Sequence, residues 1–330
     1  MIKSIRRASN EEWDRIVDSV GSAIYFQTRE WFDIWAEYVG FENDTKLISL
    51  EGGKEVLLPL TRRTLLKGLI KVQLLAPKGM GGFLTGDELS CDEKKELFDI
   101  LQEKALLYCA VNPYDELTNE FDRFNGVDYT QVLDLTQGFE ATVKTWSRGH
   151  CRAIRKGIRQ GITVELAQTE TNWKAYFELY QDSLTRWNEH ATNHYQWGLF
   201  EIMYKKKSSK IKLWLARYQG QIISGAICFY HNKRVAYWHG ASSQQFFKTL
   251  NSSHVLHYYV IKEACKNGYL LYDFLPSSGI EGVSNFKQRF SPRKKPVNIY
   301  MSPLMKIFDA IRKKSRKSNI YKSLMKNTGF

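Results

Sequence analysis

At 330 residues and 38.5 kDa the chain is longer than a typical single-core domain, so two domains, or one duplicated, is the leading expectation. A formal charge of +13 attracts anions, meaning nucleic acid, nucleotide-sugars, pyrophosphate-bearing lipids or an acidic membrane, without choosing among them. Five scattered cysteines without a CxxC pair exclude a disulfide framework and a zinc site, and read as reduced core thiols.

In chain order, the opening MIKSIRRASNEEWDR carries charges where a signal peptide needs an apolar core, and no later stretch is apolar enough to span a bilayer. The expectation is a cytoplasmic protein. Two helix-like stretches follow, Glu11–Val20 and Thr28–Val39, the second with Thr28 as N-cap and Trp31 and Trp35 on one face. Strand-like runs at Lys46–Leu50, Val56–Thr61 and Ile70–Leu75 precede a helix near Glu93–Tyr108 and a strand near Gln131–Leu135. The cluster Pro77-Lys78-Gly79-Met80-Gly81-Gly82 reads as a turn, or more sharply as backbone N–H groups facing an anion.

A helical run over 136–161 leads into the second half, where helices Trp173–Trp187 and Tyr195–Lys206 precede strands Lys212–Arg217, Ile222–Phe229 and Arg234–Trp238. A helix over Ser253–Lys266 stops at Gly268, and Tyr269–Phe274 reads as a buried strand. This order of elements repeats that of the first half, which favours two equivalent domains. His190 and His194 have metal-ligand spacing but no HExxH context, and a polar loop is the plainer reading.

In SRGHCRAIRKGIRQG, Arg148, Arg152, Arg155 and Arg159 fall on one helical face, either a solvated surface or an anion-binding ridge for phosphates. Asp273 interrupts an apolar strand, so it either fixes the adjacent turn or opens onto a cleft. The basic segment 303–330 repeats Leu304, Ile307, Phe308 and Ile311 at helical spacing. It is a surface helix for an anionic membrane or RNA, or a solvated tail. No GxSxG elbow, Walker loop or strand-linked GxGxxG is present.

The stretch Gly240–Phe290, with its "YDF" strand and its close on Gly282, Phe286, Lys287 and Phe290, resembles the carboxy-terminal domain of Fem-like proteins, a branch of the GNAT superfamily. The helix entry IRKGIRQGITVE (Ile154–Glu165) and FQTREW (Phe26–Trp31) extend the resemblance over nearly the whole chain. Departures are Leu275-Pro276 where the family often has two glycines, Ser291-Pro292 after the last Phe, and Pro77-Lys78-Gly79-Met80 in place of "PRGP".

The resemblance implies an α/β (α+β) fold of tandem GNAT-like domains, each a mixed, mostly antiparallel sheet flanked by helices. Expected bounds are 1–138, 139–302 and a basic tail at 303–330. It implies acyl or aminoacyl transfer to an amine of a peptidoglycan or polysaccharide precursor, with acyl-CoA or aminoacyl-tRNA as co-substrate and no tightly bound cofactor. Lys287 would neutralise charge on the carbonyl oxygen or leaving group and Phe286 would pack against the donor, while Asp273 is the candidate general base unless the substrate itself shuttles the proton. A Phe-Lys pair at a strand end with a snorkelling lysine is the plain alternative. Arg152, Arg155, Gln27, Trp31 and Arg186 complete the substrate-binding candidates. The loop ASSQQFFKTLNSS has no glycine between Ala241 and Ser253, which weakens the coenzyme A reading without removing it. The rival function is an inactive RNA- or membrane-binding module on the same fold.

Overall fold

Helix starts and stops are set by local side-chain bonds. A computed structural model of the chain describes residues 1–65, 70–103, 106–187, 194–246, 249–277 and 279–315. After β1 (Ile2–Arg7), Ser9 and Glu12 form a reciprocal capping box that starts α1 (Asn10–Ser19). Thr28 caps α2 (Arg29–Val39) by accepting from Trp31 N–H, and Gly40, at φ 73°, stops it in the left-handed conformation that glycine adopts without strain. Ser90 and Glu93 cap α3 (Cys91–Gln102) in the same reciprocal way.

The chain divides into two compact units, one of residues 1–128 with 296–330 and one of residues 129–295. The first boundary falls ten residues ahead of the expected 138, and the described part of the terminal segment, 303–315, groups with the first unit. In the first unit, β1, β3 (Lys46–Leu50) and β4 (Glu55–Leu58) form a small sheet. A second sheet orders β2 (Glu42–Asn43), β5 (Thr61–Leu65), β6 (Ile70–Leu74), β7 (Leu107–Ala110) and the end of β14 (Arg293–Met301). Its parallel pair, β6–β7, is bridged by α3, and a short α4 (Glu116–Asn119) follows.

The second unit takes in the end of β8 (Gly126–Asp134), then α5 (Phe139–Lys144), α6 (Arg148–Arg159), β9 (Thr163–Leu166), α7 (Glu170–Trp187) and α8 (Trp197–Lys206). Next come β10 (Ile211–Tyr218), β11 (Gln221–His231), β12 (Arg234–Ser242), α9 (Ser252–Lys266), β13 (Leu271–Asp273) and α10 (Glu281–Gln288). The strand order is β8-β13-β12-β11-β10-β9, antiparallel except for β12–β13, which α9 bridges. Each unit thus holds a mixed, mostly antiparallel sheet with one helix-bridged parallel pair, and the first adds the small antiparallel sheet. The last helix, α11, is Pro303–Ser315.

The pleat explains the near-continuous apolar run of β11. Ala226, Cys228 and Tyr230 enter the core that holds Ile154, Val255, Val260 and Phe290, while α7, with α8 against it, packs on β12 and β11. A Cβ at Gly157 would sit 2.6 Å from Val255 Cγ2, so glycine is what lets α6 lie close on α9. Gly157→Val is expected to lower the unfolding free energy by about 1–3 kcal/mol, because overpacking outweighs the gain in helix propensity. Urea unfolding checks this, and a variant as stable as the parent would remove the close-approach argument.

Several expectations need correction. The helix near Glu93–Tyr108 ends at Gln102 and its last residues are strand β7. β1, β5 and β14 carry no clear apolar alternation and went unread. Cys91 is exposed at the start of α3, so it is not a core thiol, whereas Cys109 and Cys228 are buried. The cluster 77–82 is a packed turn: Trp31 Nε1 donates to Pro77 O and Gln27 Nε2 to Gly82 O. His190, residues 316–330 and the side chains of Arg186 and of 312–315 lie outside what is described. Among the described residues no helix is long and apolar enough to cross a membrane, and no group of three or more His, Cys, Asp or Glu is placed to hold a metal.

Candidate active site

The parallel pair β12–β13 is short. It runs through Arg234↔Leu271, Val235↔Tyr272 and Ala236↔Asp273, where β13 ends, while β12 continues to Ser242. Against β11 the β12 register slips between Ile227↔His239 and Cys228↔Tyr237, which leaves Trp238 as a bulged residue and bends the strand. Beyond Ala236 the half-buried segment Tyr237–Gly240 therefore has no β13 residue beside it, and His239 O accepts from Tyr176 OH at 3.3 Å.

The far end of this opening is braced by hydroxyls. Ser242 Oγ lies 2.9 Å from Ser253 Oγ and 3.0 Å from Ser224 Oγ, while Ser183 Oγ donates to Ser242 O at 3.1 Å. These bonds tie the end of β12 to the first turn of α9. Asn251 makes no side-chain cap there, so the N–H groups of that turn remain suited to an anion.

At the foot of the opening, Asp273 is buried, and its Oδ1 accepts from Thr130 Oγ1 and, at 2.8 Å, from Leu275 N. The carboxylate thereby holds the turn in which Leu275 has φ 57°. Lys287 is also buried. Its Nζ donates to Leu275 O at 2.7 Å and Pro276 O at 3.3 Å. Phe286 packs edge-on against His254 and lies 5.5 Å from both His257 and Phe290. The structure thus brings Asp273 and Lys287 together around the segment after β13, while Phe286 packs on the α9 histidines and Phe290. It corrects the strand-end reading of the Phe-Lys pair, which sits on α10 with the ammonium drawn inward rather than snorkelling.

Sequence reasoning singled out His190 and His194 but passed over four other histidines of this unit. His239 stands on the bulged part of β12, its Nδ1 2.6 Å from Tyr176 OH, and burial pushes its pKa down to about 3. His257 pairs through Nδ1 with Tyr272 OH at 2.7 Å and is also lowered to about 3 by burial. His150 and His254 face one another at 4.9 Å, lowered to about 3 and about 4 by burial, with further lowering from nearby positive charge. Imidazoles held so low are poor proton acceptors at neutral pH, which argues against a histidine base here. Only their place on an unusually aromatic strand-helix pair could have flagged them in the sequence.

The remaining candidates lie elsewhere. Arg152 and Arg155 are exposed on the outer face of α6, opposite buried Ile154 and Gly157, and Arg155 Nε donates to Cys151 O at 3.3 Å. Gln27 and Trp31 belong to the other unit and are fully buried. Gln27 Oε1 accepts from Ile24 N and Asn112 Nδ2, so a substrate contact would require surrendering internal bonds. The Arg186 side chain lies outside the described residues.

A mostly antiparallel sheet whose one parallel pair parts beside a bulge, with a helix start beyond it that lacks a side-chain cap, is a GNAT-type arrangement. The family model described as acetyltransferase (GNAT) domain matches residues 147–288. Over most of its length the chain also shares its fold with solved structures. FemX superposes with a TM-score of 0.69 over 93% of this chain and 99% of its own, at 14% identity. The C-terminal domain of a putative lysylphosphatidylglycerol synthetase from Agrobacterium fabrum gives 0.56 over 92% and 96%, also at 14% identity. The L-PGS structure from Bacillus licheniformis gives 0.53 over 83% and 91%, at 15% identity. At these identities the likeness is one of fold. No curated protein matches the sequence.

Proposed function

We propose that this acyltransferase moves an acyl or aminoacyl group from acyl-CoA or aminoacyl-tRNA to an amine of an anionic cell-envelope precursor in the cytoplasm. The acceptor is a peptidoglycan or polysaccharide intermediate carried on a nucleotide or a lipid. The observation that carries this reading is the opening where β12 outruns β13, with Asp273 and Lys287 fixing the segment at its foot. One structural neighbour is named for a lysyl group on an anionic lipid, which favours an aminoacyl group and an envelope setting.

In the reaction the amine nitrogen bonds to the donor carbonyl, the C–S or C–O bond breaks, and the leaving group takes up a proton. Lys287 supports the negative charge that grows on the oxygen or leaving group, Phe286 packs on the donor, and Asp273 accepts the amine proton. The exposed line of Arg152 and Arg155 suits the acceptor's phosphates. Roles for Gln27 and Trp31 rest on the sequence resemblance alone.

The test is donor turnover with and without an amine acceptor, using a labelled coenzyme A thioester and an aminoacyl-tRNA in parallel. Turnover that needs the amine supports the enzyme. Salt-sensitive RNA or vesicle binding without turnover of either donor would support the non-catalytic module instead. Asp273→Asn keeps an oxygen able to accept from Thr130 and Leu275, so the fold should persist while turnover falls by about a hundredfold or more. A folded Asp273→Asn protein with parental turnover would leave Asp273 a turn anchor only.

A further inference from the structure

We infer that α11 docks onto the surface of an anionic lipid bilayer. The helix has two apolar faces with different fates. Met305 and Asp309 turn inward and are buried, whereas Leu304, Ile307 and Ile311 stand 54%, 57% and 59% exposed. Those three fall at i, i+3 and i+7, which makes one stripe along the helix. Among the described residues eight large hydrophobic side chains are exposed, and three of them lie on this one helix. Isolated exposed aliphatics are ordinary, but an aligned stripe is a contact surface.

Charge identifies the occupant. Residues 303–330 hold eight lysines and arginines against a single acidic residue, Asp309, and that carboxylate is on the buried face. Lys306 is exposed beside the stripe, and the sequence continues at once into Arg312, Lys313 and Lys314. Aliphatic side chains flanked by basic residues match the acyl and headgroup layers of an anionic leaflet. RNA would reward the charges and leave leucine and isoleucine in water. A second copy of the chain would bring two such basic segments together across a stripe only three residues long, too small for a stable interface.

The full chain should sediment with phosphatidylcholine vesicles containing a third of phosphatidylglycerol and hardly with phosphatidylcholine alone, and raising the salt should weaken that binding. Ile307→Asn with Ile311→Asn, both exposed and outside the transfer site, should cut vesicle partitioning by about tenfold or more with circular dichroism unchanged. The inference fails if this double variant binds vesicles like the parent, or if both vesicle types bind equally. It fails too if poly(U) is bound, unaffected by the isoleucine changes, while vesicles are not. None of these readouts depends on acyl transfer, so the docking and the proposed reaction stand or fall separately.

Discussion

Replacing Lys287 with methionine is expected to lower amine-dependent turnover by about a hundredfold or more, with a much smaller change in donor binding. Methionine keeps most of the aliphatic stem, yet the change is not neutral for folding. The ammonium is buried and donates to Leu275 O and Pro276 O, so its removal strips two carbonyls of a charged donor. A loss of about 1–3 kcal/mol in unfolding free energy should accompany the kinetic effect. The two effects separate experimentally, because stability is read from urea unfolding and the catalytic term from saturating rates well below the unfolding midpoint. Near-parental turnover in the folded variant would reduce Lys287 to a brace for the turn after β13. A rise in KM at unchanged maximal rate would make it a docking group for donor phosphate.

The second large effect is expected on acidification. His150, His239 and His257 are held to about 3 and His254 to about 4 by burial, against about 6.5 in an unfolded chain. The folded pKa is the lower one, so the unfolded state binds protons first as pH drops. The stabilisation is whole above about pH 6.5 and is lost as pH falls toward the folded values. Each histidine removes up to about 1.4 kcal/mol per pH unit in that window. Asp115 in the other unit acts with opposite sign, since burial raises it to about 7 and acid then favours its neutral folded form. Four groups against one decide the direction. Urea midpoints should fall steeply between pH 6.5 and 4.5, and His150→Leu with His254→Leu should flatten that slope. A pH-independent midpoint over this range would show that the imidazoles are protonated in the folded protein.

The fold was readable where local chemistry and periodicity agree. Thr28 and Gly40 delimit α2, Lys46–Leu50 is strand β3, and the three consecutive strands β10–β12 follow from their alternation and intervening turns. β1 stayed hidden because five of its six residues are exposed, and β7 because LYCA continues the apolar pattern of α3.

The site divides along the same line. By itself the sequence determined the basic charge, the strand carrying Asp273, the Phe286-Lys287 pair and the arginine line of α6, because residue type and spacing are local properties. Only the tertiary structure decided what those side chains touch. Burial turned Gln27 and Trp31 into core residues with internal partners, and it drew the Lys287 ammonium onto two carbonyls of a segment eleven residues earlier in the chain. The opening at Ala236–Asp273 likewise follows from where two strands distant in sequence cease to pair. That end point is set by the bulge at Trp238 and the length of β13, and no local pattern encodes either.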